Sequence, residues 1–488
     1  MTTLRHLAPA ISERARYRLY GLGVLLLILG FALARGFYLP ESDLFWGIRA
    51  GQTFLQHGTI PRVEQWAWLI EGRPWLPNSW AWNVLLAFAF NLGGTYALGT
   101  LNLLLYVGAF LLVWRLLRLL GVGRPLLFIL LTLTLFNSLY WLTLRPQEAD
   151  YLLLLTFLVI TARWRNAMTP RRTLLLVLAA YLVTTVWMNL HLTGTAAVGL
   201  LPAAYLILVP GTIRPRLLVA AGITLAAALG TLSTPFGLNG ITKGGTVFAA
   251  SRGLVFEWTQ ITFALPAGIL AFVAIVIFGL LPTIFLALRH RWLTALTILT
   301  LATLAFEIPR FVPYLVFFAL LSAPALPARL NRSPMVAVYN YIALGGIALI
   351  LGATLALPKL LYPDSMFVLN RHDLDTIPVS TTGRTHVLTL ANGGALTLLY
   401  RHDLSPSLDS RNDIYGLPLY TQIVDLFYYD DQATVTSFLT REHVGAVYAE
   451  VIPSQHQPPL TIVPILRRLH WQETRTADAY IFLPPTHR

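Results

Sequence analysis

Long apolar runs separated by short polar loops dominate the first 357 residues of this 488-residue chain. A helix needs roughly 20 apolar residues to cross the hydrocarbon core of a bilayer, and several runs are slightly shorter. Hydrophobic residues make up 56% of the chain and charged residues 12%, a balance typical of membrane proteins. The runs lie near residues 19–33, 98–114, 125–143, 149–162, 172–188, 193–210, 215–232, 263–288, 292–306, 310–326 and 335–357. They predict a mainly α, polytopic membrane domain over residues 1–357.

The loops between these runs alternate in charge. Arginines collect at the N-terminus and in every second loop, where the one acidic residue is Glu13. The intervening loops contain the acids Glu41, Asp43, Glu64, Glu71, Glu148, Asp150, Glu257 and Glu307. Cytoplasmic loops of membrane proteins are enriched in Lys and Arg. We therefore predict a multi-pass protein of the plasma (inner) membrane, with a cytoplasmic N-terminus and the acidic loops outside.

One segment, 79–92, does not fit this alternation as a full crossing. It is apolar but short, and Gly93 and Gly94 follow it. If it crossed completely, the arginines between 115 and 124 would lie outside and every later loop would be inverted. We therefore predict one net crossing between Asn78 and Arg115, with 79–92 as a dipping or interfacial helix. This gives about 11 transmembrane helices, with 12 or 13 as alternatives.

The chain changes character after residue 357. Residues 358–488 hold more acidic than basic side chains, so the net charge of +13 arises in the membrane part, which argues against a nucleic-acid partner. Short apolar runs predict strands and longer amphipathic patterns predict helices. The strands are expected at 386–390, 395–400, 446–450 and 480–483, the helices near 418–442 and 460–470, and a hairpin turn at 392–394. We predict a small soluble, extracytoplasmic α/β domain over 358–488.

Polar residues at the predicted outer edge form five clusters that could line one cavity opening outwards. Charged groups at membrane depth are costly and usually mark function or tight pairing. The clusters are Glu41 with Asp43, the Trp-rich stretch 75–82 with Trp80, Arg145 with Glu148 and Asp150, Asn189 with His191, and Glu257 with Glu307 and Arg310.

Structural roles are the alternative for many of these residues. An aromatic belt would explain Trp66 and Trp68, ion pairs would explain Glu307 with Arg310 and Arg145 with Glu148, and interhelical hydrogen bonds would explain Asn189 and His191. In the C-terminal domain, the run Asp-Ser-Arg-Asn-Asp at 409–413 favours a salt-bridged turn.

Sequence motifs give little evidence for a metal or a nucleotide. The chain lacks HExxH, GxSxG and Walker-type patterns and has no cysteine, so thiolate ligands and disulfides are excluded. Glu41 and Asp43 could hold a hard divalent ion such as Mg or Mn through their oxygens. Two carboxylates supply only part of such a coordination shell.

Several short segments carry a family resemblance. In the membrane part they are ESDLFWGIRAGQTFLQHGTIP, GRPWLPNSWAWNVLLAFAFNLGG, LRPQEADYLLL and WMNLHLTG, and in the C-terminal part SLDSRNDIYG and HVGAVYAE. They resemble bacterial and archaeal polytopic proteins of the GT-C glycosyltransferase type. In GT-C enzymes an acidic motif in the first outer loop acts as catalytic base or binds a metal. The resemblance puts that role on Glu41 and Asp43, in the first outer loop 38–78.

The resemblance implies an inverting transfer of a sugar from a polyprenyl-phosphate donor to a glycan, lipid or protein acceptor outside the membrane. Asp43 would take a proton from an acceptor hydroxyl or amide, and Arg49, Arg145 or Arg310 would neutralise the leaving phosphate. The residues expected to contact substrate are Arg49, Trp80, Arg145, Glu148, Asn189, His191, Glu257 and Arg310.

Two other functions stay open. A GT-C-like membrane scaffold could bind a lipid, a glycan or a partner in a larger assembly without catalysis. A transporter is the third hypothesis, although the internal repeats that many transporters show are absent from the sequence. Convergence of the candidate residues on one cavity would favour the enzyme.

Overall fold

The membrane part of the computed structural model is a bundle of α-helices. The structure describes residues 12–138, 143–251, 260–261, 263, 266–325, 334–362, 366–367, 369–380, 383–451 and 458–485. The helices are α1 (Glu13–Gly36), α2 (Asp43–His57), α3 (Trp80–Leu119), α4 (Arg124–Ser138), α5 (Pro146–Trp164), α6 (Pro170–Leu190), α7 (Ala197–Leu208), α8 (Ile213–Leu232), α9 (Leu238–Ser251), α10 (Pro266–Ala274), α11 (Leu281–Leu288), α12 (Trp292–Glu307), α13 (Val312–Leu320) and α14 (Pro334–Leu361). A π-helical turn at Ile275–Leu280 joins α10 to α11.

Six helices in the described part of the chain are long and apolar enough to cross a membrane. Their outward faces carry exposed leucines, such as Leu174 on α6 and Leu218 on α8. An apolar outer surface of this kind is stable against lipid and unfavourable in water. The predicted mainly α architecture with a small sheet is therefore observed, whereas the number of about 11 crossings stays a prediction.

Helix α3 is two helices joined at a glycine pair. Gly93 (φ −159°, ψ 24°) and Gly94 (φ 58°, ψ −142°) depart from helical geometry. Forty straight residues would extend about 60 Å, twice the hydrocarbon thickness of a bilayer. A left-handed φ costs glycine little, so the break falls there. The stretch before the break packs against α2, and it is the segment we predicted to be a dipping or interfacial helix.

The first and last helices of the membrane part, α1 and α14, pack in close contact through glycines. A Cβ at Gly30 would overlap the backbone carbonyl of Ala348, and one at Gly352 would overlap the carbonyl oxygen of Gly30. Small residues let two helix backbones approach within a membrane. This contact brings the chain that leaves α14 next to the chain that leaves α1, where the Leu39 N–H donates to the Met366 carbonyl at 2.8 Å.

The C-terminal domain contains a five-stranded mixed sheet covered by short helices. The strands are β1 (Thr385–Thr389), β2 (Leu404–Pro406), β3 (Ala446–Glu450), β4 (Gln472–Arg475) and β5 (Ala479–Leu483), in the order β2-β1-β3-β5-β4. The helices are α15 (Ala391–Tyr400), α16 (Asn412–Tyr415), α17 (Leu417–Tyr428), α18 (Gln432–Arg441) and α19 (Ile462–Arg468). β1 lies parallel to β2 and β3, and β5 lies antiparallel to β3 and β4. The α/β prediction is confirmed.

Two predictions inside this domain are wrong. Residues 395–400 are not a strand but part of α15, and 392–394 are its first turn rather than a hairpin. Because β1 and β2 are parallel, the chain between them must cross back, and α15 makes that connection. Gly394 fits there because a Cβ would overlap the carbonyl oxygen of Leu408.

The C-terminal domain packs directly on the first loop. Trp68 stacks on His386 with ring centroids 4.7 Å apart, and the Ser405 hydroxyl donates to the Trp66 carbonyl at 2.5 Å. Trp66 is only 6% exposed. Both tryptophans thus pack against the C-terminal domain, which favours a packing role over an aromatic belt for these two residues.

Candidate functional site

A cavity of about 370 Å³ lies between one end of the helix bundle and the C-terminal domain. Both polar and apolar side chains line it. They come from six segments, at 41–46, 78–86, 144–147, 191–196, 308–314 and 410–413. These segments are the starts of α2, α3 and α5, the turns after α6 and α12, and a turn of the C-terminal domain.

The cavity brings together five of the predicted site residues: Glu41, Asp43, Arg145, His191 and Arg310. Arg49, Trp80, Glu148 and Asn189 do not belong to its lining. Glu257 lies outside the described residues. The convergence that would favour an enzyme is therefore present for these five residues, while the chemical role of each stays a prediction.

The predicted residues outside the cavity make structural contacts. Asn189 accepts from the Trp80 indole N–H at 3.0 Å and donates to the Ser233 carbonyl at 2.8 Å, which confirms the interhelical interpretation of Asn189. Arg49 lies 3.3 Å from His402 of the C-terminal domain, measured from Nη1 to Nδ1. Glu148 is buried and accepts from the Leu144 N–H at 2.5 Å, at the N-terminus of its own helix.

Asp43 is the first residue of α2, where helix dipoles favour a negative charge. Its Oδ1 accepts from the Trp46 indole N–H at 3.1 Å, one turn further along the helix. The carboxylate is thus fixed at the cavity wall by its own helix. A held carboxylate in a cavity can accept a proton from a bound hydroxyl or amide.

Glu41 forms an ion pair with Arg145 across the cavity wall. The Thr143 hydroxyl donates to its other oxygen at 3.2 Å. The sequence suggested Glu148 as a partner of Arg145, but the Glu148 carboxylate caps α5 instead. Glu41 therefore orients Arg145, and both carboxylate oxygens of Glu41 already accept hydrogen bonds.

Arg310 provides a second cation at the cavity, in the turn between α12 and α13. The Gln147 side-chain oxygen, in the amide orientation that satisfies both groups, accepts from Arg310 Nε at 2.8 Å. Glu307, the other candidate partner of Arg310, accepts from the Gln260 amide at 3.2 Å. Gln147 was not among the residues singled out from the sequence, although it lies between Arg145 and Glu148.

A buried ion cluster forms the part of the wall that the C-terminal domain contributes. Arg411 donates to Asp409 (Nη2 to Oδ2, 2.5 Å) and to Glu64 of the first loop (Nη1 to Oε2, 2.5 Å). The Arg411 guanidinium also lies 4.8 Å from the ring centroids of Trp66 and Trp75. The salt-bridged turn predicted at 409–413 is confirmed.

The charge of Arg411 follows from its surroundings. Burial alone would lower the pKa of Arg411, but the carboxylates of Asp409 and Glu64 outweigh it and hold that pKa well above its ordinary value. Next to it, Asp413 pairs with Lys243 of α9 at 2.8 Å. Neither Lys243 nor the Glu64–Arg411 pair was predictable, because no local sequence pattern links residues so far apart in the chain.

The fit of a divalent metal to Glu41 and Asp43 is poor. Glu41 is already paired with Arg145, and within the described ranges no three His, Asp or Glu side chains come together as a metal site. Mg and Ca sites commonly use several free oxygen ligands. A Mg or Mn ion here stays a prediction from the sequence, and no reaction step below depends on it.

The chain is similar in fold to a solved oligosaccharyltransferase. No protein-family model and no curated protein matches the chain. The crystal structure of the Archaeoglobus fulgidus oligosaccharyltransferase in the apo form aligns at 13% identity over 90% of this chain and 70% of that one, with a TM-score of 0.50. The structure of that enzyme in complex with Zn and sulfate aligns at 13% identity over 87% and 68%, with a TM-score of 0.49.

The likeness to the apo oligosaccharyltransferase defines the fold class. At 13% identity the likeness is evidence for a GT-C-like fold alone. With the six apolar helices, it indicates a membrane location.

Proposed function

We propose that this chain is a membrane glycosyltransferase that moves a sugar from a polyprenyl-phosphate donor to an extracytoplasmic acceptor. The observation that supports this most is the arrangement within one cavity, in a GT-C-like fold, of the Asp43 carboxylate together with the cations Arg145 and Arg310. Sugar transfer from a phosphate needs both a base for the acceptor and positive charge for the leaving group.

In this proposal the reaction is a single displacement. The acceptor oxygen or nitrogen attacks the anomeric carbon while the bond from that carbon to the phosphate oxygen breaks, and the electron pair leaves with the phosphate. Asp43 takes the acceptor proton. Arg145, oriented by Glu41, and Arg310, oriented by Gln147, stabilise the departing phosphate. Attack opposite the leaving group inverts the anomeric centre.

The position of the cavity is consistent with the two substrates arriving from different sides. The apolar bundle offers surface for the lipid tail of the donor, and the C-terminal domain forms the opposite wall through residues 410–413. A glycan, lipid or protein acceptor would enter next to that turn. In this proposal the end of the bundle that holds the cavity lies outside the plasma membrane, which the distribution of arginines among the loops supports.

The test is a transfer assay on the purified full-length chain in lipid nanodiscs. A panel of polyprenyl-phosphate sugars is offered with candidate acceptors, and products are identified by mass spectrometry. Asp43→Asn should lower the transfer rate roughly 100- to 10,000-fold, because general-base assistance contributes about that much. Asp375→Asn, at a carboxylate whose side chain is 69% exposed, is the matched control and should keep the wild-type rate.

The outcomes separate the competing functions. Wild-type transfer in Asp43→Asn would show that Asp43 is not the base. Donor binding without transfer by the wild-type chain would favour the non-catalytic scaffold. Movement of an intact sugar lipid across the membrane, with no new glycosidic bond, would favour the transporter.

A further inference from the structure

A second group of titratable side chains lies at the cavity beside those used above. Asp150, in the second turn of α5, is fully buried. Its Oδ2 lies 2.7 Å from His191 Nδ1 and accepts from the hydroxyls of Thr193 at 2.8 Å and Tyr314 at 3.4 Å. Since a carboxylate only accepts hydrogen bonds, Nδ1 must carry the proton in the contact with His191.

The other ring nitrogen of His191 is left for a bound molecule. His191 lines the cavity, and among the described residues no hydrogen-bond partner meets its Nε2. Backbone hydrogen bonds hold the segment that carries the ring. The His191 N–H donates to the Trp187 carbonyl at 2.7 Å, and the Leu192 N–H donates to the Asn78 carbonyl at 3.0 Å. An Asp–His pair held in this way presents one defined nitrogen for proton transfer.

His191 and Arg310 are both held by side chains of α5. Gln147 and Asp150 are three residues apart on α5 and therefore share a helix face. Gln147 contacts Arg310, and Asp150 contacts both His191 and Tyr314. His191 and Arg310 are thus held by neighbouring positions of one helix.

We propose that His191 is the catalytic acid of the transfer reaction and that Asp150 is its positioning residue. This inference rests on the proposed glycosyltransferase function. As the bond between the anomeric carbon and the phosphate oxygen breaks, the Nε2 proton of the His191 imidazolium passes to the departing phosphate oxygen, while the acceptor proton passes to Asp43. The ring ends neutral, with Nδ1–H still donated to Asp150, and the polyprenyl phosphate leaves with one fewer negative charge.

Several charged or titratable groups lie around His191 or along the same cavity. On the elements packed around it and along the cavity they are Asp150, Tyr314, Arg310, Lys243, Glu41, Asp43, Arg145, Arg411 and Asp413.

The test is the pH dependence of kcat for full-length protein in nanodiscs with a polyprenyl-phosphate sugar that the wild type transfers. The wild-type rate should fall at alkaline pH, because the proposed step transfers a proton from His191 Nε2 to the departing phosphate oxygen. His191→Gln should lower kcat roughly 100-fold or more and remove this alkaline decline. Asp150→Asn should lower kcat with little change in KM, because the carboxylate that orients the His191 ring is gone.

Controls distinguish catalysis from a structural effect. His57→Gln, at an exposed histidine that ends α2, should keep the wild-type profile. In His191→Ala, added imidazole should restore part of the rate, which a packing role would not allow. Asp150→Asn, nearly the same size as the native residue, serves as the second test if His191→Gln does not fold.

Failure of this inference differs from failure of the proposed function. An alkaline decline that persists unchanged in His191→Gln, together with a wild-type kcat in Asp150→Asn, overturns the role of His191 while transfer itself stands. A wild-type chain that transfers no sugar from any donor overturns the glycosyltransferase function and this step with it.

Discussion

Glu450 is a buried carboxyl group that connects a strand to a helix in the C-terminal domain. It is 2% exposed at the end of β3, where it accepts from the Gly393 N–H at 2.5 Å and from the Asn392 amide at 3.1 Å. It therefore caps α15 from a different element. Burial raises the pKa of Glu450 above its ordinary value, and the two hydrogen bonds only partly oppose this.

The raised pKa predicts a pH dependence of stability. The folded state binds the Glu450 proton more tightly than the unfolded chain, so stability falls as pH rises from the ordinary value of 4.5 through the folded pKa. Glu450→Gln keeps an acceptor for Gly393 but does not titrate. We expect its melting temperature in detergent to fall less than that of the wild type across this window.

A matched control is Glu442→Gln, at a part-exposed carboxylate in the same domain. It should follow the wild-type curve. A Glu450→Gln protein with the wild-type slope would contradict the role of Glu450.

At the scale of elements, the contact between α2 and the first part of α3 determines the position of Asp43. Gly51 of α2 lies against the backbone of Asn83, and a Cβ there would overlap the Asn83 carbonyl oxygen. Backbone cannot move away as a flexible side chain can. The same two helices supply Asp43, Trp46 and Trp82 to the cavity. Their spacing is therefore part of the site, although Gly51 is not in its lining.

We expect Gly51→Ala to separate these helices. Forced overpacking costs about 1–3 kcal/mol, so the melting temperature should fall, and the transfer rate should fall with it because Asp43 moves. Gly199→Ala on α7 is the control: apart from its own turn of helix, no heavy atom of the described residues lies within 4 Å of the Cβ it would add, and alanine favours a helix. Equal stability and rate in Gly51→Ala and the wild type would show that α2 and α3 can adjust.

At the scale of the whole molecule, the cavity is composite. The bundle supplies most of its wall, and the turn at 410–413 supplies the rest. Arg411 is held by Asp409 of its own turn and joins the C-terminal domain to the first loop through Glu64. The side chains of all three residues are buried, so leaving either carboxylate unpaired would be costly. The C-terminal domain is thus a wall of the site rather than an independent appendage.

The orientation of the whole molecule can be tested by cysteine labelling, because the chain has no native cysteine. Asn166→Cys lies in an arginine-rich loop and Ala433→Cys lies on exposed α18. Since basic loops stay in the cytoplasm, a membrane-impermeant maleimide should label Ala433→Cys in intact cells and Asn166→Cys only after lysis. Labelling of both from outside, or of Asn166→Cys alone, would contradict the predicted topology.

The sequence by itself determined the features that depend on local repetition. The spacing of apolar residues along the chain indicates whether a segment forms a helix or a strand. The helical bundle and the strands Thr385–Thr389, Ala446–Glu450 and Ala479–Leu483 were therefore predictable. Polar groups at the ends of apolar runs share one end of a bundle when the crossings alternate. That regularity predicted that Asp43, Arg145 and His191 would meet.

Only the tertiary structure decided which of these side chains pair. Arg145 pairs with Glu41 rather than Glu148, and Glu64 with Arg411, which is 347 residues away. The parallel placement of β2 beside β1 made residues 395–400 a helix despite their apolar pattern. Such choices depend on distances between elements, and a local pattern carries no information about them. The same reason explains why Asp150, one acid among several in the sequence, proved to be the partner of His191.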